Sequence, residues 1–150
     1  MPIAGAAPSE GDGVKTMAVI VTRGSHNNLV TVMTLVMAAA VCEMPVRLFF
    51  RDEAVYKLSK KKIAEMNFSD VYADTRDTLR ATYTAAGMAD LQKVIRDAKA
   101  QGDVRLYACT SSMALCGLSQ EDLIPEIDEA RGLTSFLLEE MEGADMLLTF

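Results

Sequence analysis

Cys109 is the residue of this chain best placed to do chemistry. It follows the apolar run Val104–Ala108 (VRLYA) and is followed at once by Thr110, Ser111, Ser112 and Met113. A cysteine where a strand gives way to a helix faces the unpaired N–H groups of the helix's first turn. Those donors and the helix dipole favour thiolate over thiol, and the thiolate is the nucleophile. The hydroxyls of Thr110, Ser111 and Ser112 add donors around the sulfur. The opposing expectation is a small hydrophobe buried at a strand end, with no chemistry at all.

The other reactive residue types are sparse. His26, the single histidine, lies in the polar turn Thr22–Asn28 together with Arg23. It caps the next helix or points to solvent, or else sits across the sheet tips from Cys109 and steadies the thiolate, with Arg23 adding positive potential. Asn27 and Asn28 are expected as caps. Cys116 reads as a packed small residue rather than a resolving thiol, because seven helical residues would hold it about 10 Å from Cys109. Cys42 is expected in the core. One histidine, three cysteines and no CxxC pair assemble neither a zinc set nor a disulfide framework. The Thr22-Arg23-Gly24 turn is not a GxGxxG loop, so no nucleotide cofactor and no metal is expected.

The elements that must position these residues follow from hydrophobic pattern. Met17–Val21 (MAVIV), Val46–Phe50 (VRLFF) and Val104–Ala108 read as strands buried on both faces, and Met146–Phe150 as a closing strand. Leu29–Glu43 reads as a largely buried helix ended by Pro45. Leu91, Val94, Ile95 and Ala98 mark an amphipathic helix with Gly102 just beyond it. Gly117 caps a short helix after Cys109, a further short helix is possible around Pro125, and Leu133–Glu142 forms a late one. Residues 63–87 give little pattern beyond a possible helix over Thr75–Ala86. The expected fold is α/β: a single Rossmann-like domain, its mostly parallel sheet of about five strands covered by helices on both faces, with function at the carboxyl ends of the strands. The domain spans residues 16–150, and residues 1–15 are expected to be a disordered tail rather than a signal peptide.

The bulk numbers narrow the function. A net charge of −6 argues against nucleic acid. The charge is uneven: six basic residues between Arg47 and Lys62, nine acidic ones between Glu121 and Asp145. Both runs are expected as solvated faces, with steering of an anionic substrate or partner as the sharper alternative. The longest apolar stretch is too short to span a bilayer, so no membrane role is expected. Free thiols suit a reducing, cytoplasmic setting.

The segment YACTSSMALCGLSQEDL resembles the DsrE/DsrF/DsrH-like families, especially the branch labelled peroxiredoxin-like. In these a strand ends in Cys, followed by a Ser-Met element and a Gly eight residues after the Cys, positions filled here by Cys109, Ser112, Met113 and Gly117. The early AVIVTRG turn, the Ala-rich helix, VRLFF and the late Gly-Leu-Thr-Ser-Phe element agree in order. The resemblance implies a cytoplasmic sulfur carrier or sulfurtransferase that holds sulfane sulfur as a persulfide on Cys109. It further implies a partner such as a small sulfur-carrier protein of TusA type, and a homo-oligomer, trimer favoured, with tetramer or hexamer as alternatives. Cys116 departs from the strictest form of the motif. Two other functions stand beside this one: a non-catalytic oligomeric subunit with an inert Cys109, and a peroxide-reducing thiol, which the cysteine spacing serves badly.

Overall fold

The structure, a computed structural model, describes residues 13–150. Most of the expected tail, residues 1–12, therefore lies outside the described residues. Five parallel strands form one sheet in the order β4-β3-β2-β1-β5: β1 (Met17–Val21), β2 (Val46–Phe50), β3 (Val104–Cys109), β4 (Glu129–Arg131) and β5 (Met146–Thr149). Four of these strands are the expected ones. The fifth, β4, is only Glu-Ala-Arg, and no β-branched or alternating pattern marks it in the sequence.

Strand order decides which face each helix covers. From β1 to β4 the chain steps across the sheet in one direction, and right-handed crossovers then keep the connecting helices on one side. α1 (His26–Val41), α2 (Asp52–Lys57), α4 (Leu91–Ala100) and α5 (Thr110–Leu115) contribute to the core on that side, together with Val19, Val21, Leu48, Phe50, Leu106 and Ala108. The step from β4 back to β5 runs the other way, so its connection lies on the opposite face. That connection is α6 (Leu133–Phe136) followed by a π-helical turn, Leu137–Met141. Its Phe136 stacks on Phe49 at 4.7 Å and meets Tyr107 edge-on at 5.7 Å. This second core is small: Ala18, Phe49, Tyr107, Cys109 and Phe136.

Two cysteine and helix expectations are corrected. Cys42 is exposed, not core: α1 ends at Val41, and the C-cap residue has already turned away from the buried stripe of Leu29, Met33 and Val36. Asn27 and Asn28 do not cap α1. Ser25 holds the N-cap position, Asn27 bonds Ser69 at 3.1 Å, and Asn28 donates to the Arg23 carbonyl at 3.1 Å. The unpatterned residues 63–87 contain a 3₁₀ turn, Asp70–Thr75, and α3 (Arg76–Ala85), neither of which buries a residue. No helix among the described residues is long and apolar enough to cross a membrane.

Candidate functional site

Cys109 is at once the last residue of β3 and the N-cap of α5, with an extended backbone at φ −68° and ψ 119°. Strand pairing fixes it between two neighbours. β3 pairs Cys109 with Arg131 of β4 on one side, and pairs Ala108 with Phe50 of β2 on the other. Arg51, the next residue, stays extended at φ −131° and ψ 165°, so it lies alongside Cys109 at the strand end. Side chains alternate along a strand. Phe50 and Ala108 belong to the large core, whereas Phe49, Tyr107 and Cys109 belong to the small one. Arg51 thus falls on the Cys109 side.

Opposing forces act on the thiol. Burial, the largest, pushes its pKa up. The Ser112 N–H, the Ser112 hydroxyl, the Ser111 N–H and the Arg51 charge together outweigh it, and the pKa ends below its ordinary value. The lowering has a more specific cause than a helix dipole. Ser112 is buried; its Oγ accepts the Asp52 N–H at 2.9 Å and its hydroxyl donates to Asp52 Oδ1 at 3.3 Å. Asp52 makes this contact from a left-handed backbone, φ 49°. For a residue with a side chain such strain costs about 1–3 kcal/mol and persists only where surrounding structure imposes it. The β2 end and the α5 start are tied together through that bond.

The remaining site residues divide. Ser111 presents its N–H to the sulfur while its side chain is exposed. Thr110 is exposed, with its Oγ1 3.9 Å from where a Gly132 side chain would begin. Met113 packs in the large core and does not serve the sulfur. Arg23 is exposed, and the charge that bears on Cys109 comes from Arg51. His26 is buried, so neither expectation for it holds as stated. Its Nε2 bonds the Met88 carbonyl at 2.7 Å, its ring meets Phe68 and Tyr83 edge-on, and its Nδ1 is buried without a partner. Burial, offset in part by the Met88 bond, holds its pKa below the ordinary value, with Lys57 and Arg80 adding to the lowering. His26 pins residues 63–88 onto the start of α1 and belongs to a different neighbourhood from the thiol.

Sequence reasoning missed three groups. Arg51 and Asp52 sit in a basic, outwardly polar stretch, and only the β2–β3 register brings them to Cys109. Lys57 is buried, donates to the Lys62 and Glu65 carbonyls, and has its pKa pushed down by desolvation to about 8. It anchors the loop after α2. Lys60 likewise donates to the Glu121 carbonyl at 2.6 Å. The basic run is thus partly a set of structural pins. Gly24 shows how tightly this end is closed: a Cβ there would meet the Glu53 carbonyl at 2.4 Å. Cys116 lines a cavity of about 260 Å³ with Tyr56, Lys61 and Lys62 at the far end of α5 from Cys109.

Cys109 is 1% exposed. The element over the small core is the 133–141 segment, held by Phe136 and by Glu140. Glu140 accepts from Tyr107 at 2.9 Å and pairs with Arg131 at 3.1 Å and with Arg47 at 3.4 Å. Any reagent must displace something to reach the sulfur.

The fold is similar to that of a Methanobacterium thermoautotrophicum protein of unknown function, with a TM-score of 0.58 at 12% identity, over 89% of this chain and 98% of that one. No curated protein sequence matches the chain. The model of the DsrE/DsrF-like family matches residues 15–150. That match takes in the strand, the cysteine, the Ser-Met element and the cover described above, and the chain belongs to the DsrE/DsrF-like family.

Proposed function

We propose that this protein is a cytoplasmic sulfur carrier that accepts sulfane sulfur as a persulfide on Cys109 and passes it to an acceptor thiol. The acceptor on this reading is a small sulfur-carrier protein of TusA type, and the working form is a homo-oligomer. The observation that carries the proposal is the place of one sulfur: Cys109 ends β3 and N-caps α5, with Ser111 and Ser112 in the helix's first turn and Arg51 alongside, and its pKa is lowered. Such a setting favours the thiolate over the thiol, and sulfur transfer runs by thiolate attack on a sulfane sulfur, as in thiol–disulfide exchange. Membership of a sulfur-relay family gives the reading its substrate.

The experiment is intact-mass analysis after exposure to inorganic polysulfide. Cys109 is expected to gain sulfur atoms that vanish on reduction, and Cys109→Ser to keep its fold while gaining none there. An unloaded Cys109 would sink the proposal. One observation favours a second reading: at 1% exposure, Cys109 is as buried as the core, which suits a non-catalytic subunit with an inert thiol. Alkylation kinetics separate the two. For a carrier, the pH profile at Cys109 has its midpoint below the ordinary thiol value of 9.0. For an inert subunit, Cys109 alkylates only as the protein unfolds.

A further inference from the structure

Among the described residues, one cation beside Cys109 makes no ion pair. Arg51 Nε is buried and makes no hydrogen bond, and no ion pair among the described residues includes Arg51. A buried guanidinium N–H without an acceptor is costly, on the order of one lost charged hydrogen bond, and calls for an explanation. Arg131, on the opposite flank of the same cysteine, has three carboxylates: Glu129 at 2.8 Å, Glu139 at 3.0 Å and Glu140 at 3.1 Å. The acidic side chains near Arg51 are otherwise engaged. The Asp52 carboxylate faces the Ser112 hydroxyl, and Glu53 accepts from the Gly24 N–H at 3.2 Å.

We infer that Arg51 is the anion-binding residue of the Cys109 site, and that its guanidinium receives the terminal sulfur of the cysteine persulfide. The inference rests on the persulfide reading of Cys109 and names the substrate class: persulfide or polysulfide donors that give up their outer sulfur and leave as a thiolate. The Cys109 thiolate attacks the outer sulfur of R–S–SH. The Sγ–S bond forms, the donor S–S bond breaks, and its electron pair departs with R–S⁻. The new Cys109–S–SH gives its proton to that thiolate and becomes Cys109–S–S⁻, so atoms and charge balance with no external oxidant or reductant. The charge now lies one bond beyond Sγ, out of reach of donors aimed at Sγ itself. Arg51 sits on the same face of the sheet and one strand away, with a fork of donors that suits a displaced anion.

The test uses the full chain with Arg51→Gln, Arg51→Lys and Arg131→Gln, each loaded with inorganic polysulfide and followed by intact mass, with circular dichroism confirming the fold. Arg51→Gln is expected to lower both the persulfide fraction at Cys109 and its lifetime by on the order of tenfold, the worth of one charge-assisted hydrogen bond. Arg51→Lys, which keeps a charge but no fork, should fall between Arg51→Gln and the parent. Arg131→Gln, which loosens the cover, should load at least as fast as the parent and reach the same persulfide fraction. If the parent takes up sulfur and Arg51→Gln holds it equally long, the assignment of Arg51 is overturned while the carrier function stands. If Arg131→Gln lowers the persulfide fraction as far as Arg51→Gln does, the contrast between the flanks fails and the assignment with it. If the parent itself takes up none, both fall.

Discussion

The two flanks of Cys109 carry the same residue type in opposite conditions. On the β4 side, Arg131 lies 4.3 Å over the Tyr107 ring and is surrounded by Glu129, Glu139 and Glu140. Its charge is spent on structure, holding the Leu133–Met141 cover to the sheet. On the β2 side, Arg51 keeps its charge, and it is Arg51 that helps to lower the Cys109 pKa. A cation already met by three carboxylates projects little field onto a neighbour, whereas a half-buried one without a partner projects much. One flank builds the roof, and the other bears on the thiol.

The largest test of this division removes the roof's anchor. Phe136→Ala takes a fully buried ring off Phe49 and Tyr107 and is expected to destabilise the fold by about 3–5 kcal/mol. It should also speed Cys109 alkylation without altering that of the exposed Cys42. Unchanged Cys109 kinetics in a folded Phe136→Ala protein would mean that the cover is not what shields the sulfur.

Ser112→Ala comes next, at about 1–3 kcal/mol, because it strips the Asp52 N–H of its acceptor. It should also raise the Cys109 pKa, which gives a pH signature. The folded thiol ionises below the unfolded value near 9.0. The unfolded chain binds more protons in that interval, so stability rises with pH across it, is complete above 9, and is lost as pH falls through the lowered folded value. The difference in unfolding free energy between the parent and Cys109→Ser should therefore grow with pH there, and Ser112→Ala should flatten it. A parallel difference curve in Ser112→Ala would deny the serine its part.

His26 provides a control away from both flanks. Its folded pKa is lowered, so below the ordinary 6.5 the unfolded chain takes up a proton that the folded one refuses, and stability falls as pH drops through that region. His26→Gln should remove that acid sensitivity while leaving Cys109 alkylation as it was; a change in the alkylation profile would join the two neighbourhoods after all. The smallest effect belongs to Glu139→Gln. Its side chain is 58% exposed, so losing the pair with Arg131 should cost under about 1 kcal/mol, less than Glu140→Gln, whose side chain is 19% exposed. An equal loss from both would show that Arg131 is gripped by the rim of the site as firmly as by its interior.

Much of this arrangement was written locally in the chain. Continuous apolar runs marked four strands, the i, i+3, i+4 pattern marked α4, and the Cys-to-Met segment placed a thiol at a strand end with hydroxyls after it, because these are properties of neighbours in sequence. The tertiary structure decided the rest. Glu129–Arg131 is a strand only because β3 offers it an edge, and Cys42 is exposed only because α1 stops where it does. Arg51, not Arg23, stands beside Cys109 because pairing Phe50 with Ala108 extends by one residue to set them side by side. A charge's partners are chosen by register and packing across the sheet, and a sequence read along its own length does not contain them.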